Sequence, residues 1–172
     1  MFKKFIFLFI VLSVQHFYIQ LEAKKNTDPI MGAYVSEFDN SQPNLAYAPF
    51  DKVNFYWLAF ANPVIDENNH AHMEWQTPPF ADNGPEIIKL VHSKNPTAPI
   101  FISNLVYTSG PCTAFNQAAE DPLFPETLVN FLKQYSGVSG YDLDVEYPDC
   151  HVAKMIASIA PVLHANHLQL SL

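Results

Sequence analysis

Residues 24–172 contain no arginine, only two cysteines, and no apolar run long enough to cross a membrane. Each shortage excludes something. Seven basic residues face sixteen acidic ones in this part, a net charge of −9. That balance argues against nucleic acid or an anionic membrane surface as partner and suits a neutral or cationic substrate. Two thiols, Cys112 and Cys150, are too few for a metal site, and neither lies in a Cys-x-x-Cys. In an exported chain they permit a disulfide. Low-complexity segments, linkers and short repeats are also missing, so residues 24–172 read as one domain.

The export signal is at the start. Lys3 and Lys4 precede an almost unbroken apolar run from Phe5 to Val14, and a polar stretch closes on Leu21-Glu22-Ala23. This is the layout of a secretory signal peptide over residues 1–23, with cleavage expected near Ala23. The run is shorter than the roughly 18 apolar residues of a spanning helix. The expected location is therefore secreted, in the periplasm or outside the cell, with no membrane contact after cleavage.

Apolar runs alternate with helical stripes. Met31–Phe38, Lys52–Ala61, Ile100–Tyr107, Val138–Tyr147 and Leu168–Leu172 read as strands, and the dense ones suit strands buried on both faces. Asp82-Asn83-Gly84-Pro85 reads as one helix start and Pro125-Glu126 as another. The second is followed by Leu128, Phe131, Leu132 and Tyr135 at helical spacing. Val152, Met155, Ile156 and Ile159 form a third stripe, which Pro161 should kink or end. Asp39 to Phe50 lacks a pattern and reads as a loop. Strand–helix alternation implies an α/β fold with a parallel sheet. An open doubly wound sheet and a (β/α)8 barrel both fit.

The stretch Gly140-Tyr141-Asp142-Leu143-Asp144-Val145-Glu146-Tyr147-Pro148 carries the chemistry. Side chains alternate along a strand, so Asp142, Asp144 and Glu146 share one face and Tyr141, Leu143 and Val145 the other. Three carboxylates in file repel one another, which should raise at least one pKa and keep an acid protonated for donation. A solvated acidic edge strand is the plainer reading, but flanking Gly140 and Pro148 and the parallel-sheet pattern weigh against it. A calcium loop has similar spacing, yet Leu143 and Val145 are apolar and Tyr147 stands where glycine is needed.

The stretch resembles the D-G-x-D-x-D-x-E signature of glycoside hydrolase family 18, the chitinases and their relatives. Gly32-Ala33-Tyr34 is similar to that family's first-strand pattern, and Leu58-Ala59-Phe60-Ala61 to its second strand. The resemblance implies a (β/α)8 barrel with the signature on its fourth strand, here truncated to about the first five strands. It implies that Glu146 is the general acid, that Asp144 orients the 2-acetamido group of the substrate, and that Asp142 supports Asp144. The substrate's own acetamido oxygen would be the nucleophile, with retention and no metal or other cofactor. The implied partner is chitin or another β-1,4-linked N-acetylglucosamine oligomer. A non-catalytic chitinase-like lectin and an inactive remnant are the alternatives.

The likeness is incomplete. Ser139 replaces the leading Asp of the signature, and Ser103-Asn104-Leu105-Val106 replaces the family's Ser-x-Gly-Gly on the third strand. The sequence ends at Leu172, whereas a barrel takes ~250 residues. Half a barrel would leave two open edges, so the chain alone is expected to be poorly active or insoluble. Trp75 and Tyr107 follow strand ends where barrel enzymes bind ligand. With Tyr34, Phe60 and Tyr147 they are the candidate sugar-binding aromatics. The paired His70 and His72 lack a third ligand and read as surface histidines.

Overall fold

The computed structural model describes residues 31–36, 49–76 and 78–172. The expected signal peptide and most of the expected 39–50 loop lie outside the described residues. Five strands form one sheet: β1 (Gly32–Ser36), β2 (Phe55–Ala59), β5 (Ile100–Val106), β6 (Gly140–Val145) and β7 (Gln169–Ser171). They lie side by side in that order and every pairing is parallel. These are the five strands anticipated from the apolar runs. Between β2 and β5 the chain makes an antiparallel hairpin, β3 (Ala61–Ile65) with β4 (Ala71–Trp75), and then helix α1 (Pro78–Lys94). Helices α2 (Ser109–Glu120) and α3 (Phe124–Leu132) precede β6, and α4 (Val152–Ala165) precedes β7.

The alternation along each strand sorts the two faces. Tyr56 and Leu58 on β2, Ile100 and Ile102 on β5, and Tyr141 on β6 are wholly buried together with Phe115, Leu128, Met155 and Ile159 of the helices. Burying each such side chain is worth about 1.5–3 kcal/mol, so this helix-facing layer is the main stabilising element. The opposite face carries Tyr34, Trp57, Ser103, Asp142 and Asp144. It is strongly curved: the Tyr34 hydroxyl on β1 reaches the Asp144 carboxylate on β6 at 3.4 Å, with β2 and β5 between them. A flat sheet would hold these strands ~14 Å apart, at about 4.8 Å per strand.

Four elements differ from the sequence reading. Helix α1 begins at Pro78 rather than at Asp82-Asn83-Gly84-Pro85, so that Pro85 lies inside it. The second strand ends at Ala61 in the sequence reading, which assigns no strand between it and the first helix start, yet Asp66 Oδ1 accepts the N–H groups of Asn68 and His70 and Asn69 takes φ 63°, which makes a tight turn. Ala61, Pro63, Ala71 and Met73 of the hairpin are buried, with Met73 Sδ 3.9 Å from the Tyr141 hydroxyl. Helix α2 begins at Ser109, just after Thr108, in a stretch to which the sequence reading assigns no helix before Pro125. Pro161 neither ends nor divides α4, which runs on to Ala165. The bond that proline forfeits would have gone to the carbonyl of the exposed Ala157, which water can satisfy.

Two glycines are fixed by geometry. Gly137, before β6, has φ +96°, and a Cβ there would lie 2.8 Å from the His92 ring. At Gly140 a Cβ would meet the Gln169 carbonyl oxygen at 2.0 Å, so β6 and β7 close only on glycine. Gly140→Ala should therefore cost at least about 2 kcal/mol of stability, the scale of overpacking against backbone. Thermal unfolding of the two proteins side by side checks this, and equal midpoints would refute the close approach.

Candidate active site

The site follows from strand register. Ser103 on β5 is paired with Asp142 on β6, and Leu105 with Asp144. Asp142 is only 2% exposed, and its Oδ2 accepts a 2.6 Å hydrogen bond from the Ser103 hydroxyl. Asp144 is half-buried and accepts from Tyr34. Glu146 stands just past the end of β6 and is exposed, its backbone N–H held on the Val106 carbonyl at 2.9 Å. No ion pair among the described residues involves these three carboxylates.

Without cations, the repulsion within the row is expressed as proton affinity. Burial raises the Asp144 carboxyl above the usual carboxylate range. The charges of Glu146 and Asp142 add to this, and the Tyr34 hydroxyl partly offsets it. Burial, followed by the charges of Asp142 and Asp144, pushes Tyr34 up to about 12. Tyr34 therefore remains a hydrogen-bond donor throughout the physiological range.

The candidate aromatics separate into two groups. Tyr34 stacks on Trp57 at 4.6 Å between ring centroids and lies 5.9 Å from Phe60, so these three rings gather beside the carboxylates. The Ala59–Phe60 peptide, where β2 gives way to the hairpin, is cis. Tyr107 lies just past the end of β5 and is 56% exposed. Tyr147 instead packs against the core. Trp75 is also spent elsewhere: its indole N–H donates to the Tyr135 hydroxyl at 2.6 Å, and its ring meets Phe131 and Tyr135 in the helix layer. The hairpin thus carries Trp75, which follows a strand in the sequence, to Tyr135 and Phe131. Trp57 is a neighbour of the site that the sequence reading passed over, although its alternation with Tyr56 and Leu58 places it on the inner face.

The other singled-out residues are structural. Ser139 sits at the entry to β6, where its hydroxyl accepts the Ile100 N–H at 3.2 Å. His70 approaches Asp121 at 3.5 Å, and His72 approaches Glu74 at 2.9 Å. Cys112 in the first turn of α2 and Cys150 in the loop beyond Glu146 are joined as a disulfide, with Cα atoms 5.4 Å apart. Asn116, one turn further along α2, binds the same loop through the Asp149 carbonyl and the His151 N–H. Closing a loop of 38 residues constrains the unfolded chain by about 4 kcal/mol on the chain-entropy view.

No family model and no curated protein matches the sequence. Solved structures do. A mutant GH18 chitinase from Cycas revoluta in complex with (GlcNAc)4 superposes with a TM-score of 0.67 at 16% identity, over 83% of this chain and 44% of that one. The chain has a GH18 chitinase-like fold. A chitinase-like agglutinin from Robinia pseudoacacia matches this chitinase-like fold with a TM-score of 0.65 at 18% identity, over 83% of this chain and 45% of its own. A GH18 chitinase from Flavobacterium johnsoniae gives 0.61 at 19% identity, over 84% and 46%. The chain spans less than half the length of each of these structures, and its five parallel strands are a part of the TIM-barrel fold, as the sequence reading expected.

The raised Asp144 carboxyl sets a pH dependence. A carboxyl with a higher pKa in the folded than in the unfolded chain holds its proton more tightly when folded, so its contribution to stability falls as pH rises through that window. Asp144→Asn should therefore raise the thermal midpoint near neutral pH and flatten its decline as pH rises above the ordinary carboxyl value of 3.8. Melting curves from that value upward test the sign. A steeper decline in the variant would contradict it.

Proposed function

We propose that this chain is part of a secreted glycoside hydrolase that cleaves β-1,4-linked N-acetylglucosamine polymers, with Glu146 as the general acid. The observation that carries the reading is the file of carboxylates on the concave face. Asp142 and Asp144 are held by hydroxyl donors rather than cations, and Glu146 stands free at the C-terminal end of the strand, where barrel enzymes place their chemistry. In this reading Glu146 protonates the leaving oxygen. Asp144 orients the 2-acetamido group, whose carbonyl oxygen attacks the anomeric carbon, and Asp142 supports Asp144. A raised Asp144 pKa suits a carboxyl that shares a proton within the row. The cluster of Tyr34, Trp57 and Phe60 offers apolar ring faces beside the acids, and Tyr107 an exposed one. The nature of the ligand is supported by the matching chitinase structures bound to GlcNAc oligomers. Export is supported by the Lys3 to Ala23 layout.

A second reading, a chitinase-like carbohydrate-binding protein, is favoured by one observation: a chitinase-like agglutinin shares the fold. Hydrolysis of a fluorogenic N,N′-diacetylchitobioside separates the two. Turnover that falls at least about 100-fold in Glu146→Gln, the scale of general-acid catalysis, establishes the hydrolase. Binding of chitin oligomers without turnover assigns the binding protein, and neither activity in folded protein removes both readings from this chain alone.

A further inference from the structure

Behind the carboxylates lies a pair of amides, one buried and one half-buried, that the proposed chemistry does not use. Asn104, on β5, is wholly buried, its side chain on the helix-facing side by strand alternation. Its Oδ1 accepts the backbone N–H of Asp144 at 3.2 Å, and its Nδ2 has no hydrogen-bond partner. On the neighbouring residue the second amide acts. Asn62, at the start of the hairpin, donates through Nδ2 to the Leu105 carbonyl at 3.1 Å and accepts the Leu105 N–H on Oδ1 at 2.8 Å. Leu105 is the register partner of Asp144.

The paired ladder between β2 and β5 ends at Ala59 and Ser103, one residue before the chain turns into the hairpin. Beyond that point the backbone of Leu105 would lose its partner on the β2 side. The Asn62 amide presents one donor and one acceptor to it, as a strand residue would. The end of β5 is thereby kept in line, and Asn104 can hold the β6 backbone from the other side. A buried amide with an unmet donor is a poor choice for packing alone, since an apolar side chain of the same shape removes the penalty.

We infer that Asn104 is a positioning residue for Asp144, fixing the backbone from which that carboxylate projects, with Asn62 bracing the strand end that carries it. Calling this positioning for catalysis rests on the glycosidase reading, but the geometry and its test do not. Three groups border the Asp144 carboxyl on the concave face: Asp142 on its own strand, Glu146 beyond it, and Tyr34 from β1.

The test compares the full chain with Asn104→Leu, which removes the acceptor, and Asn104→Asp, which keeps an acceptor oxygen at the same place. Site-resolved hydrogen exchange at the Asp144 amide and the 13C titration of its carboxyl are the readouts. The expected result for Asn104→Leu is exchange at Asp144 faster by about tenfold, the equivalent of losing about one hydrogen bond. The carboxyl titration moves with it, without a lower thermal midpoint, and Asn104→Asp, whose own charge keeps the titration displaced, restores the slow exchange. An unmoved titration and unchanged exchange in Asn104→Leu would overturn the proposal. So would loss of folding in both Asn104→Leu and Asn104→Ala, which would make the residue purely structural. Neither readout needs turnover, so failure of the glycosidase assay and failure of this inference are separate results.

Discussion

A carboxylate that is nearly sealed from water and has no cation beside it must be satisfied by hydroxyl or amide donors, or it will not stay buried. Asp142 is in that position, and the Ser103 hydroxyl at 2.6 Å is its answer. The bond requires that β5 and β6 run in parallel with Ser103 opposite Asp142, a register that a one-residue slip would destroy. Much else follows from it. The same register brings Leu105 level with Asp144, and Asn104 behind it, while curvature carries the Tyr34 hydroxyl across to Asp144.

The hairpin between β2 and β5 is an addition to the alternating pattern, but it is no loose ornament. Asp121, between α2 and α3, accepts the Ala71 N–H on one oxygen and the Leu123 N–H on the other. Burial pushes its carboxyl up, but these bonds together with the neighbouring His70 hold it below the usual range. At its other end Asn62 grips Leu105. The helix layer and the strand end behind the site are thus tied through one short antiparallel pair. On the rim, the Cys112–Cys150 bond and Asn116 tie α2 to the loop that follows Glu146.

The sequence reading and the structure agree where a local pattern was strong. Five apolar runs became five parallel strands, and the Leu128, Phe131, Leu132 stripe became the buried face of α3. They part where the signal was weak or shared. Thr108-Ser109-Gly110-Pro111 is good turn chemistry and equally good helix-start chemistry, so α2 was hidden. The Asp66 to His70 cluster is a turn signal that could have revealed the hairpin, but Pro63 inside β3 discourages a strand assignment.

Sequence by itself determined which chemical groups share a face: Asp142, Asp144 and Glu146 fall in line because the strand period is two, whatever surrounds them. It equally determined that residues 1–172 offer no arginine to neutralise them. Only the tertiary structure decided which partners they received. Ser103 lies 39 residues from Asp142, Asn104 lies 40 from Asp144 and Tyr34 lies 110 from it, so their meeting depends on strand order, register and curvature. The fate of Trp75 was decided in the same way. Its position after a strand points to the site, and the turn of the hairpin delivers it to Tyr135 instead. Periodicity is a property of neighbours along the chain, and these contacts are set by the closure of distant ones.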